Sequence, residues 1–264
     1  MNKYIKWTLT CVICSLLIIF FIPYHYYYHK QVHLSIDDVW ECFDDLSKDS
    51  SSYSSVFEHP FFRELKIAHD LSGAKFTLYV YENVKDYSID SIPQKYIRQL
   101  QGETDWLRVG FHASNDTIDR ELIGDYSIFK KSFDVVNEKF VGGAKSLRLQ
   151  YYYATPEEVS FLVNKGITTL LSADDDRISY SLPHSYNESL ISNESLLYKG
   201  MHYEHTDFRV ENPLSPFKQL YSNRNDDTIV LFTHEWALQN RWNRYKLWFY
   251  LAFFSIYKSV FIID

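Results

Sequence analysis

From residue 33 onward the chain alternates short β-branched and aromatic runs with longer stretches of helical periodicity, and this rhythm constrains the fold more than any other feature. Strands separated by helices pair in parallel, so the pattern predicts an α/β protein with βα units around a mostly parallel sheet or barrel. Seven strands are expected, at 32–39, 75–81, 107–112, 146–152, 168–172, 228–232 and 259–263. Helices are expected at 60–71, 93–100, 116–140 and 156–165. Pro60, Pro93 and Pro156 start three of them, and Gly73 and Gly166 follow two, the usual punctuation of a helix. Residues 181–216, rich in His, Asn, Ser and Tyr, break the rhythm and read as an inserted loop or hairpin over the active-site face.

The N-terminus has a different character. Lys3 and Lys6 precede an apolar run over 7–23, about seventeen residues and close to the lower limit for a membrane-spanning helix. It is an anchor or a signal peptide. An A-x-A-like cleavage site is missing and Thr10 before Cys11 fits a lipoprotein signal poorly, which favours an uncleaved signal anchor, one N-terminal transmembrane helix. Residues 1–30 would then be anchor and juxtamembrane stretch, and 31–264 one catalytic domain at the cell membrane, outside the cytoplasm. His29 and Lys30 partly balance Lys3 and Lys6 under the positive-inside rule, while Tyr24, Tyr26, Tyr27 and Tyr28 would form an interfacial belt. A second apolar stretch, 247–263, contains Ser255, Tyr257 and Lys258 and divides better into a helix over 242–256 and a buried strand.

With 46% hydrophobic and 23% charged residues in 264, the chain can bury a core. About 230 residues beyond the apolar segment suffice for one barrel-like domain. A net charge of −7 gives no basic footprint, which argues against a nucleic-acid partner. Cys11 and Cys14 lie in the apolar segment and Cys42 stands alone, so there is no disulfide framework.

In βα barrels, functional groups collect at the C-terminal ends of strands. The first expected strand ends Ser35-Ile36-Asp37-Asp38-Val39, the third ends in His112 followed by Asp116, the fourth holds Arg148, and the sixth is followed by Thr233-His234. In order and type these segments resemble the signature blocks of the polysaccharide deacetylase family, carbohydrate esterase family four, whose fold is a distorted (β/α) barrel, here of about seven parallel strands.

The resemblance implies a metal-dependent hydrolase that removes N- or O-acetyl groups from a cell-surface polysaccharide. By it, Asp37 is the general base and Asp38 a metal ligand. His112-Ala113-Ser114-Asn115-Asp116 matches the family's H-[ST]-x-x-H block with Asp in the second ligand position, at a spacing that would put both ligands on one face of a helical turn. The implied metal set is Asp38, His112 and Asp116, holding Zn²⁺ or, with the extra oxygen, Mn²⁺ or Co²⁺. Arg148-Leu149-Gln150-Tyr151 matches the block in which Arg holds the catalytic aspartate and the aromatic contributes a backbone N–H, so Arg148 should keep Asp37 ionised and Tyr151 should touch substrate. Asp174 or Asp175 stands where an acid orients the catalytic His, which is His234, the general acid. Trp236, just beyond, would offer a stacking surface to a sugar ring.

A runner-up from another class is a catalytically impaired barrel kept as a membrane-anchored carbohydrate-binding module, motivated by Asp116 and the degenerate fourth block. Three sequons, at Asn115, Asn187 and Asn193, would place a glycan over the metal site if modified, which favours a bacterial protein that leaves them bare.

Overall fold

The computed structural model describes residues 26–117, 119 and 124–263. The apolar run 7–23 and Tyr24 lie outside the described residues. In chain order the elements are β1 (Gln31–Val39), α1 (Glu41–Lys48), α2 (Pro60–Ser72), β2 (Phe76–Tyr81), β3 (Asn83–Val84), β4 (Tyr87–Ser88) and α3 (Gln94–Gln101). Then follow β5 (Leu107–Ala113), α4 (Tyr126–Lys139), β6 (Ser146–Leu147), α5 (Pro156–Asn164), β7 (Thr169–Leu171), α6 (His184–Asn193), β8 (Ser195–Tyr198) and β9 (Met201–Glu204). The last are β10 (Phe208–Arg209), α7 (Pro216–Ser222), β11 (Thr228–His234), α8 (Arg241–Ile256) and β12 (Val260–Ile262).

The larger sheet runs β10-β11-β1-β2-β5, all parallel, and β12 joins it beside the first residues of β1. Strand β1 is its centre. Because helices cover such sheets on the outside, β2 is buried along its whole length and shows no polar alternation. A smaller sheet runs β6-β7-β9-β8, parallel except for the β8–β9 hairpin. The sheets meet at both margins. On one side Ala144 N–H donates to Val109 O at 3.1 Å and the Tyr79 hydroxyl to Ser146 O at 3.0 Å. On the other, the chain leaving β9 enters β10 through Asp207, whose N–H donates to Val230 O at 2.9 Å. The result is an α/β, mostly parallel, barrel-like wall around a core that includes Tyr79, Phe232 and Arg148.

Local chemistry explains the boundaries. Helix α2 starts on Pro60 and stops at Gly73, which takes the left-handed conformation (φ 71°) that glycine adopts without strain. Helix α5 carries a capping box, with Thr155 Oγ1 accepting from Glu158 N–H and the Glu158 carboxylate accepting from Thr155 N–H.

Three expectations are corrected. Residues 181–216 are no insertion, for they form α6, the hairpin and β10, and β9 is a strand of the wall paired with β7. The fourth strand is only Ser146–Leu147, after which Gln150–Tyr152 turns with Tyr151 and Tyr152 at φ 54° and 53°. No helix covers 116, because Asn115 Oδ1 accepts from Thr117 N–H in a side-chain turn and α4 is capped by Asp125, whose Oδ1 accepts from Ser127 and Ile128 N–H. The C-terminal stretch divides into α8 and β12 as expected, and among the described residues no helix is long and apolar enough to cross a membrane. Tyr27, expected at an interface, is 4% exposed and packs its ring against Phe253, Phe254 and Tyr257.

Candidate active site

Neighbouring residues of a strand point to opposite faces, so Asp37 and Asp38 cannot both face one cleft from a regular β1. The register of β1 against β2 shifts between Ile36 and Val39, and Asp38 adopts φ 58°, a left-handed backbone uncommon for a side-chain-bearing residue. This bulge brings both carboxylates to one cleft of about 280 Å³, shared with Tyr81, His112, Arg148, Tyr151, His234 and Trp236.

Glu235 holds the bulge. Its N–H donates to Asp37 O at 3.0 Å, and its buried carboxylate accepts from the N–H groups of Trp40 (2.8 Å), Glu41 (2.9 Å) and Cys42 (2.8 Å) at the start of α1. Asp38 is therefore bracketed on both sides by one residue of the neighbouring strand end. Burial raises the Glu235 pKa overall, and the N–H groups of the helix N-terminus only partly oppose that.

Asp37 is 1% exposed and faces Arg148, itself fully buried. Arg148 Nη1 donates to Ser35 Oγ at 2.7 Å and lies 3.4 and 3.5 Å from the Asp37 oxygens, while Nη2 donates to Thr206 Oγ1 at 2.9 Å. The guanidinium packs over the Phe232 ring at 4.1 Å. Burial raises the Asp37 pKa, and Arg148, His112 and His234 only partly oppose it, so the net direction is upward. Arg148 does pull the Asp37 pKa down, as a nearby cation should, but desolvation outweighs a pairing at long hydrogen-bond distance.

Asp38 is more open. It accepts from the Tyr81 hydroxyl on Oδ1 (2.6 Å) and from the Trp236 indole on Oδ2 (3.0 Å), and His112 Nε2 lies 3.2 Å from Oδ1. Burial raises its pKa, but the hydrogen bonds and the two histidines outweigh it and hold Asp38 well below the usual carboxylate range. His112 Nδ1 meets Arg148 O at 2.5 Å. A carbonyl only accepts, so Nδ1 carries the proton and Nε2 faces Asp38.

His234 ends β11 with Nδ1 2.5 Å from Glu211 Oε1, and Thr233 Oγ1 donates to the other Glu211 oxygen at 3.0 Å. Burial lowers the His234 pKa, yet the Glu211 hydrogen bond together with Asp37, Glu211 and Asp38 raises it overall. Its Nε2 is 3.9 Å from Asp38 Oδ2, and the ring stacks on Trp236 at 5.0 Å and 22°. Trp236 is 52% exposed and Tyr151 47%, so both have free ring surface at the cleft.

The acid that orients His234 is Glu211. Asp174 instead pairs with Arg209 (3.0 Å) and Asp175 with Arg177 (2.6 and 2.7 Å), which corrects the assignment of either to that role. Asp116 is exposed on the bend after β5 rather than one helical turn from His112. Among the described residues the three side chains whose ligand atoms lie within 4.8 Å of one another are Glu194, Asp207 and Asp226, at the opposite ends of the strands, and not Asp38, His112 and Asp116. Sequence reasoning missed Tyr81, Thr206, Glu211 and Glu235. Glu235 adjoins His234 just past a strand end, which is a signal; Glu211 and Thr206 lie in the segment read as an insertion.

No family model matches the chain, and no curated protein matches it. Among solved structures, the 4-α-glucanotransferase of Thermococcus litoralis superposes with TM-score 0.54 at 12% identity over 88% of this chain and 37% of that one. A Bordetella bronchiseptica protein, provisionally described as a polysaccharide deacetylase of O-antigen biosynthesis, superposes with TM-score 0.43 at 12% identity over 78% of this chain and 72% of that one. The chain thus spans little more than a third of the glucanotransferase, and what it shares with that part is an α/β fold.

Proposed function

We propose that the chain is a metal-dependent hydrolase that removes acetyl groups from the sugars of a cell-surface polysaccharide. The observation that carries this reading is His112, fixed by the Arg148 carbonyl so that its basic Nε2 faces the Asp38 carboxylate at 3.2 Å. Two atoms each about 2.1 Å from one tetrahedral ion lie about 3.4 Å apart, so this pair fits two positions on a divalent metal, and the carbonyl behind Nδ1 is the outer partner such a ligand needs. Asp116, exposed on the adjoining bend, does not cluster with this pair, so the reading rests on Asp38 and His112. Zn²⁺ is the first choice, with Mn²⁺ or Co²⁺ next.

The bound metal would polarise the acetyl carbonyl and acidify water. Asp37 takes a proton from the attacking water, and its raised pKa suits it to hold one. His234, with Nδ1 committed to Glu211, delivers a proton from Nε2 to the leaving amine nitrogen, yielding acetate and a free amino sugar. Tyr151 and Trp236 offer ring faces to the sugar. Residues 1–30 would anchor the domain 31–264 outside the cytoplasm at a bacterial cell membrane.

The test is acetate release from acetylated chito-oligosaccharide by the purified full chain with Zn²⁺, Mn²⁺ or Co²⁺ added. No release with any of the three, together with no measurable metal binding, would defeat the reading. A second reading is favoured by one observation: both Asp38 oxygens already accept hydrogen bonds, from Tyr81 and Trp236. On that reading the cleft binds saccharide without turning it over, and an Asp38→Ala/His234→Ala double variant would retain full oligosaccharide affinity.

A further inference from the structure

Strands of a parallel sheet share one direction, and the connecting helices α2, α4 and α8 return the chain from the cleft end of the strands to the opposite end. Large apolar side chains are exposed where they arrive: Leu71 (73%) in the last turn of α2, Val141 (68%) just past α4 and Ile256 (62%) at the end of α8. Val260, 52% exposed at the start of β12, lies at the same end, paired with Gln31. Helix α7 adds Phe217 (69%) and Tyr221 (64%), one turn apart on one face. Ring contacts tie α7 to α8 and to the start of the chain. Phe217 meets Phe249 at 5.1 Å, Phe249 meets Phe253, and Phe253 packs on Tyr27 at 4.9 Å. Arg224 lies over both Tyr221 (4.0 Å) and Tyr26 (5.8 Å).

Isolated apolar residues on a surface need no explanation, but a set gathered at one end of a domain marks an interaction surface. Its occupant is indicated by where the chain comes from. The described residues begin at Tyr26 within this patch, and 25 residues precede it, including the apolar run 7–23. Lys218, Arg224 and Lys258 stand among the apolar groups, a mixture of rings and long cations suited to a phospholipid headgroup layer. Glu194, Asp226 and Asp227 lie at the same end, around their own cavity.

We propose that this end of the barrel rests on the lipid surface, with Phe217, Tyr221 and Ile256 inserted among the headgroups. Resting on the anchor reading given above, the proposal adds an orientation. Strand β1 leads from the patch at Tyr26–Gln31 to Asp37 and Asp38, and the seven steps from Gln31 to Asp38 at about 3.3 Å each put the cleft roughly 20 Å above the bilayer, opening away from it. The substrate is then polymer at that height, and not a glycolipid headgroup at the membrane surface.

The experiment places the full chain, wild type and Phe217→Ser/Tyr221→Ser, in nanodiscs of phosphatidylcholine and phosphatidylglycerol and reads amide hydrogen exchange. Both substitutions fall on exposed side chains, and thermal unfolding checks that the fold survives. Exchange of the 214–224 peptides should be slowed ~10-fold in the wild type relative to the double variant, with peptides around Trp236 alike in the two. A chain that stays with vesicles through an alkaline carbonate wash but shows no slowing at 214–224 overturns the lipid-facing surface and leaves the anchor standing. A chain released by the wash overturns both.

Discussion

The imidazole of His112 is held by the backbone of Arg148, the same residue whose guanidinium faces Asp37, so one residue sets both the nitrogen proposed to face a metal and the proposed base. Asp37→Asn keeps the Arg148 carbonyl and the His112–Asp38 pair, and should lower kcat by about 10²–10⁴ while retaining metal. His112→Ala should lose activity and metal together. Calorimetric titration with Zn²⁺ separates them; equal metal affinity in the two variants would contradict the division of roles.

Truncating Arg148 leaves Asp37 buried without its cation. Arg148→Ala should cost about 3–5 kcal/mol of stability, the usual penalty for breaking a buried pair. Denaturant unfolding measures it, and a loss under about 1 kcal/mol would show that Asp37 is carried by other partners.

The pH dependence follows from two upward shifts. A base whose pKa is raised must wait for higher pH to ionise, and an acid whose pKa is raised keeps its proton to higher pH, so both limbs of the kcat/KM profile should lie above the ordinary Asp and His values. Glu211→Gln removes the charge that raises His234, and should move the alkaline limb to lower pH. An unmoved alkaline limb would exclude His234 as the acid.

Glu235→Ala strips three backbone N–H groups of their acceptor at about 1–3 kcal/mol each and frees Asp38 to leave its left-handed backbone. Glu235→Gln keeps the shape with a weaker acceptor. It should lose less stability than the Ala variant and still bind Zn²⁺ more weakly than wild type. Wild-type metal affinity in Glu235→Gln would limit the residue to a structural role.

At the far end of the strands, burial raises the Asp207 pKa, and the neighbouring Asp226 and Glu194 carboxylates push it the same way. A carboxyl raised on folding stabilises fully below its unfolded pKa, about 4, and that contribution is lost as pH rises through the folded value. Stability should therefore fall above the ordinary carboxylate range, and Asp207→Asn should flatten that slope. Parallel melting curves against pH for wild type and variant would show the idea wrong.

The parallel wall was legible because each βα unit carries its own signals: apolar runs, Pro60 and Pro156 at helix starts, Gly73 and Gly166 past the ends. Asp37, Asp38, His112 and His234 were legible because strand-end chemistry is local. Glu211 was not, since what brings it to His234 is the passage of β9 into the wall and on to β10, a matter of pairing across the barrel. The turn between His112 and Asp116 was misread because spacing alone does not say whether four residues coil or extend; β5 continues to Ala113 and Asn115 closes a side-chain turn. The net upward direction at Asp37 was not legible because a nearby Arg is visible in sequence and the depth of burial is not.

The central place of β1 has a consequence for how the chain is made. This strand emerges early in synthesis, yet two of its neighbours, β11 and β12, lie some 200 residues later. Until they arrive, β1 has only β2 beside it, and the cleft cannot form because His234 is still unmade. Such distant pairing is slow and leaves strand edges exposed meanwhile. Loss of the last forty residues would therefore remove β11 with His234, α8 and β12 together, leaving β1 with β2 alone beside it.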